Sequence, residues 1–131
     1  MPMTFHHVGC LVNDIPAALK LYQHTGLAAG ASVPMRVPGQ KVQVCFLPAG
    51  NDAFIEFVQP DPDNAFLQRM LRKGISYYHV AYLCSDVETC AGDFVRSGAH
   101  ELNRFHSEAF GGRLCVFLTT PEQLIELIQA A

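Results

Sequence analysis

The chain has 131 residues, half of them hydrophobic and 16% charged, with a formal net charge of −3 at pH 7. That length suits one domain with a core of its own, and the composition excludes a disordered chain. The slight acidity gives no support for a nucleic-acid partner, no apolar stretch approaches the ~20 residues of a membrane span, and no signal-peptide pattern opens the chain, so no membrane partner and a cytoplasmic location are expected. Cys10, Cys45, Cys84, Cys90 and Cys115 are odd in number and form no C-x-x-C pair. Four of them lie in apolar segments and read as reduced core residues.

Taken in chain order, the alternating run FHHVGCLV (5–12) predicts a strand. Asp14 then stands as a helix N-cap with Pro16 just inside, IPAALKLYQHT carries apolar residues at helical spacing, and Gly26 is expected to close that helix. Strands are expected around 32–37, 41–48 and 53–59, punctuated by Pro38-Gly39 and by Gly50-Asn51-Asp52. PDPDNAFLQRMLRKGI reads as a linker with a short helix, 64–73. A strand at 77–84, a helix from Asp86 to Ser97, and strands near 100–105, 113–119 and 123–129 complete the chain.

The two halves repeat. HVGCLVNDIPAALKLYQHTGL (7–27) falls over HVAYLCSDVETCAGDFVRSGA (79–99) without a gap, so that His7 meets His79, Asp14 meets Asp86 and Gly26 meets Gly98. VCFLPA (44–49) falls over CVFLTT (115–120), and FIEFVQ (54–59) over LIELIQ (124–129). Each copy reads as β-α-β-β-β, and the expected architecture is α+β. It is a single domain, 1–131, of two tandem βαβββ repeats, about 4–60 and 76–130, joined by a helical linker, 61–75.

Glu56 and Glu126 are the puzzle of this sequence, because each sits in an apolar run and the repeat makes them equivalent. A buried charge is costly unless it is paired or coordinated. Side chains alternate along a strand, so His7 shares a face with Gly9 and Leu11, His79 with Ala81 and Leu83, Glu56 with Phe54 and Val58, and Glu126 with Leu124 and Ile128. If Val8, Cys10 and Val12 pack under the helices, all four ionisable groups point away from them. A lone strand histidine is more often a satisfied polar residue, and a lone glutamate an edge facing water. Recurrence of both types at matching positions in both copies favours a His2Glu2 divalent metal site instead, from His7, Glu56, His79 and Glu126. Such ligands suit Zn, Ni, Co, Mn or Fe.

Other charged groups have plainer readings. Arg69, Arg72 and Lys73 form a basic cluster on the linker helix, read as a solvated face before a phosphate or carboxylate clamp. Arg104, His106 and Arg113 flank the loop HSEAFGG, whose glycines would let it act as a lid.

With FHHVGCLVNDI, IEFVQP, YYHVAYLCSDVE and GGRLCVFLTTPEQLIELIQ in place, the sequence resembles the vicinal oxygen chelate superfamily along its whole length. The nearest likeness is to glyoxalase I and methylmalonyl-CoA epimerase. The resemblance implies a curved mixed sheet of two βαβββ modules around a metal-containing cleft, the glyoxalase/bleomycin resistance/dioxygenase fold. It implies one divalent ion (Zn, Ni, Co or Mn) on His7, Glu56, His79 and Glu126, a small-molecule substrate, and a homodimer. The implied activity is that of a metal-dependent isomerase or lyase, abstracting a proton from a small acyl-thioester or 2-oxo compound through a stabilised enolate or enediolate. Glu126 is the expected base, with Glu56 the other candidate. The alternatives are a metal-free, resistance-type binding module and a metal-dependent dioxygenase. Two positions depart from the pattern: Gln43 stands where the epimerase is expected to carry a second carboxylate, and Leu11 where glyoxalase I carries an arginine.

Overall fold

The computed structural model describes residues 2–131. It divides into two compact units, one formed by residues 8–78 and the other by residues 2–7 together with 79–131. The first strand, β1 (Met3–Leu11), therefore gives its opening half to the second unit and its closing half to the first.

In the unit of residues 8–78, α1 (Ile15–Lys20) is followed by β2 (Met35–Val37), β3 (Val42–Gly50), β4 (Ala53–Pro60) and α2 (Ala65–Arg72). β2, β3 and β4 form an antiparallel ladder in which Phe46 faces Glu56 and Gln43 faces both Arg36 and Gln59. Ile15, Cys45, Leu47 and Phe57 make a core into which Cys10, Val12, Leu19 and Ile55 pack. The alternation predicted for this half is thus realised: odd-numbered positions of β3 and β4 lie under α1, and Glu56 is on the other face.

The other unit contains β5 (Tyr77–Cys84, from His79 on), α3 (Val87–Arg96), β6 (His100–Ser107), β7 (Arg113–Thr119) and β8 (Leu124–Gln129). β6, β7 and β8 are antiparallel, and β8 runs parallel to β5. Val116, Leu118, Ile125 and Leu127 pack with Val80, Tyr82 and Cys84 beneath Val87, Cys90 and Ala91 of α3. Burial pushes the Cys84 thiol up to about 12, with neighbouring Cys90 adding to the shift. Among the described residues no helix is long and apolar enough to cross a membrane.

The caps follow the sequence closely, with one exception. Asp14 accepts from the Ala17 N–H, Asn64 from Leu67, and Asp86 from Glu88 and Thr89. Gly98, at φ +109°, closes α3 as a Schellman turn: its N–H donates to the Val95 carbonyl and that of Ala99 to Phe94. α1, expected to run to Gly26, stops at Lys20. The amides of Leu21, Tyr22, Gln23 and Thr25 bond three residues back, and the Thr25 hydroxyl donates to the Tyr22 carbonyl while accepting from Leu27. Such local side-chain bonding competes with the helix ladder and ends it.

One pair of contacts gives the repeat a mechanical meaning. The Ile15 N–H donates to the Gln59 side-chain oxygen at 2.8 Å, and the Val87 N–H to Gln129 at 2.9 Å. In each unit a glutamine at the C-terminal end of the glutamate-bearing strand, three residues after the glutamate, satisfies the first amide of the helix. Gln129 also donates to the Ser85 carbonyl at 2.9 Å. Replacing Gln129 by Leu should destabilise the protein by about 1–3 kcal/mol, since it strands buried backbone groups; urea unfolding of the variant measures this. Gly98→Ala meets no atom within 4 Å, so its cost is the backbone conformation alone. An unfolding free energy about 1 kcal/mol or more below wild type is expected in the same experiment.

Candidate metal centre

Glu126 is 4% exposed, and the residue facing it across the ladder is Phe117, whose ring offers no hydrogen bond. Its neighbour on β5 is Ala81. The carboxylate is instead met by two imidazoles. Its Oε1 lies 3.3 Å from His7 Nε2 and 3.2 Å from His79 Nε2, and the two Nε2 atoms are 3.0 Å apart. Both histidines are buried, at 0% and 2% exposure.

These separations suit a shared ion. Donors held at about 2.0–2.2 Å from one metal stand roughly 2.8–3.6 Å from each other at octahedral or tetrahedral angles. Two imidazoles and a carboxylate are also the donor chemistry that divalent transition metals take. The residues present therefore fit such a group.

The rings are held from behind. His79 meets Phe117 edge-on at 5.4 Å, and Phe117 stacks on Phe105. His7 stacks on Phe110 at 6.2 Å with an interplanar angle of 13°, and His6 meets the same ring edge-on at 5.5 Å. His6 Nδ1 lies 2.8 Å from His7 Nδ1. The loop read as a lid thus carries a fixed aromatic wall. Residues 108–110 form a 3-10 turn, Gly112 N–H donates to the Ser107 carbonyl, and Arg113 Nε–H donates to the Phe110 carbonyl at 2.9 Å. Neither Phe110 nor His6 was marked as functional by the sequence pattern; the signal that stood nearest them was the paired histidine and the glycine pair at 111–112.

Glu56 belongs to the other unit, on β4, where it is 5% exposed and faces Phe46 across the ladder. The look-alike glutamates of the sequence are thus both buried and both set opposite a phenylalanine. Gln43 stands on the opposite face of β3 from the side that carries Glu56, because it pairs with Gln59. Its being an amide has no bearing on the glutamate-bearing face, which corrects the expectation that this position matches a base. Leu11 is a core residue, 2% exposed.

The remaining candidates are structural. Arg69 and Arg72 occupy the last turn of α2, exposed, where positive charge complements the helix dipole. Arg104 is held by the carboxylates of Glu88 and Glu101, which raise its already high pKa and keep that of Glu101 low. Arg104 and His106 pair with Val116 and Leu114, on the α3 side of the sheet, so neither shares a face with His79.

The comparisons agree with this architecture. Among curated proteins, none matches the chain. A protein of Bacillus halodurans C-125 has the same fold with a TM-score of 0.85 at 19% identity, over 100% of this chain and 96% of that one. A variant Streptomyces coelicolor methylmalonyl-CoA epimerase, in complex with 2-nitronate-propionyl-CoA, gives 0.79 at 21% identity, over 98% and 94%. The methylmalonyl-CoA epimerase of Mycobacterium tuberculosis gives 0.79 at 21%, over 97% and 87%. Residues 6–130 match the family model of the Glyoxalase/Bleomycin resistance protein/Dioxygenase superfamily, and the chain belongs to that superfamily.

Proposed function

We propose that the protein is a divalent-metal-dependent isomerase or lyase that abstracts a proton from a carbon next to a carbonyl, in a small acyl-thioester or 2-oxo compound. The observation that carries this reading is the convergence of His7 Nε2, His79 Nε2 and Glu126 Oε1 within 3.0–3.3 Å in a buried setting. Glu56 is proposed as the fourth donor, on the strength of its burial and of its equivalence to Glu126 in the repeat. The epimerases among the structural neighbours support an acyl-CoA as the first substrate class to try, one of them having been described with methylmalonyl-CoA.

An ion held by these donors, Zn, Ni, Co or Mn, would supply Lewis-acid polarisation of the substrate carbonyl, worth several kcal/mol of charge stabilisation. The residues do the rest. His7 and His79 serve as neutral ligands whose orientation is fixed by Phe110 and Phe117. Glu126 takes the proton from carbon and returns it, a role for which its carboxylate is suited because the apolar surroundings leave it poorly solvated. General base help of this kind is worth about 10²–10⁴-fold. Glu56 is the other carboxylate able to take or return a proton.

A second reading has one observation in its favour. Two histidines and one carboxylate within one unit are the donor set of non-haem iron oxygenases. Iron-dependent oxygen uptake would select it.

The first test is elemental analysis of the purified protein together with Glu126→Gln. Near-stoichiometric Zn, Ni, Co or Mn in the wild type is expected, with a lower content in the variant. Exchange of the substrate C–H in deuterated water, screened over acyl-CoA thioesters and glutathione hemithioacetals, should fall by about 10²–10⁴ in Glu126→Gln. A wild type that holds no metal after reconstitution would overturn the catalytic reading and leave a ligand-binding module in its place.

A further inference from the structure

The contact between His6 and His7 takes its direction from the reading of His7 as a metal ligand through Nε2. The two Nδ1 atoms are 2.8 Å apart, and a neutral imidazole carries one ring proton, so one nitrogen donates and the other accepts. His7 Nε2 is the atom turned toward Glu126 Oε1 and His79 Nε2. To offer its lone pair to an ion there, His7 must keep its proton on Nδ1. That proton is then donated to His6 Nδ1, and the proton of His6 sits on Nε2.

We propose that His6 is a positioning residue: as acceptor of the His7 Nδ1–H it selects the tautomer in which His7 Nε2 is a ligand. The inference rests on the reading of His7 as a ligand. Partners of this kind orient metal-binding imidazoles and fix their tautomer, and their loss typically weakens metal affinity 10–100-fold. The setting is built for it. Phe110 contacts both rings, stacking on His7 and meeting His6 edge-on, and its own carbonyl is tied to Arg113. Ring rotation of His6 would break this packing as well as the hydrogen bond. Adjacent strand residues ordinarily point to opposite faces, yet these two rings meet at Nδ1, the ring nitrogen nearest the backbone.

The test uses the full chain with His6→Phe, which keeps an aromatic ring against Phe110 and removes the acceptor, and His6→Asn, whose side-chain oxygen restores one near the place of Nδ1. Long-range proton–nitrogen NMR on the metal-free protein reads the His7 tautomer directly. Nδ1–H is expected in the wild type and in His6→Asn, with a shift toward Nε2–H in His6→Phe. Competition with a chromophoric chelator reads zinc affinity. His6→Phe should bind zinc about 10–100-fold more weakly, and His6→Asn should recover most of the loss. A folded His6→Phe that binds zinc within about twofold of wild type and keeps the Nδ1–H tautomer overturns the proposal. So does an Nε2–H His7 in the wild type, a result that needs no variant to fold. A wild type with the expected tautomer that takes up neither zinc nor cobalt overturns the metal reading alone.

Discussion

A carboxylate cannot be taken out of water next to a phenylalanine unless something else meets its charge, and the unit that contains Glu126 is arranged around that requirement. The residue across the ladder is Phe117 and the neighbour on β5 is Ala81, so neither of these flanking side chains can meet its charge. The two imidazoles that reach its Oε1 come from β1 and β5, strands that enter the unit from distant parts of the sequence. Removing one member of such a set leaves the others buried and uncompensated, a penalty of several kcal/mol. The cluster is therefore a costly part of the core, and its donors are ones that a divalent ion could take.

The strands that carry these groups are also the strands that hold the helices. Gln129 ends β8 three residues after Glu126 and satisfies the first amide of α3; Gln59, the last residue but one of β4 and three after Glu56, does the same for α1. Odd spacing on a strand puts the two side chains on opposite faces, so one strand presents a carboxylate on one side and a helix anchor on the other. Sliding either strand by one residue would exchange these roles and bury the amide where the acid belongs. The repeated E-x-x-Q spacing is thus a register lock.

Much of this was legible in the sequence because the two copies could be read against each other. Alternation within each run, once anchored by the repeat, gave the correct face for Glu56, His79 and Glu126, and the caps at Asp14 and Asp86 followed from local chemistry. The features that escaped it depend on partners that local pattern does not encode. Gln59 and Gln129 look like ordinary strand ends, and their partners lie 44 and 42 residues away. Phe110 lies in a loop whose glycines suggest motion, whereas the fold pins it through Arg113. α1 was read too long because apolar spacing continues through Leu21 and Tyr22, while the hydrogen bonding of Thr25 breaks the ladder that spacing alone would allow.

The same reasoning explains why Gln43 misleads. Read along the chain, it is the polar residue of an apolar strand that precedes IEFVQP, and a missing carboxylate is an easy inference. Read across the ladder, it pairs with Gln59, whose side chain serves α1, so it belongs to the helix face. A polar residue in an apolar strand carries two meanings, ligand or anchor, and only the strand's parity separates them. For Glu126 parity points toward the histidines, for Gln129 toward the helix, and the chemistry of each side chain suits the face on which it stands. The acid stands against two imidazoles, and the amide of Gln129 holds a backbone that needs both a donor and an acceptor.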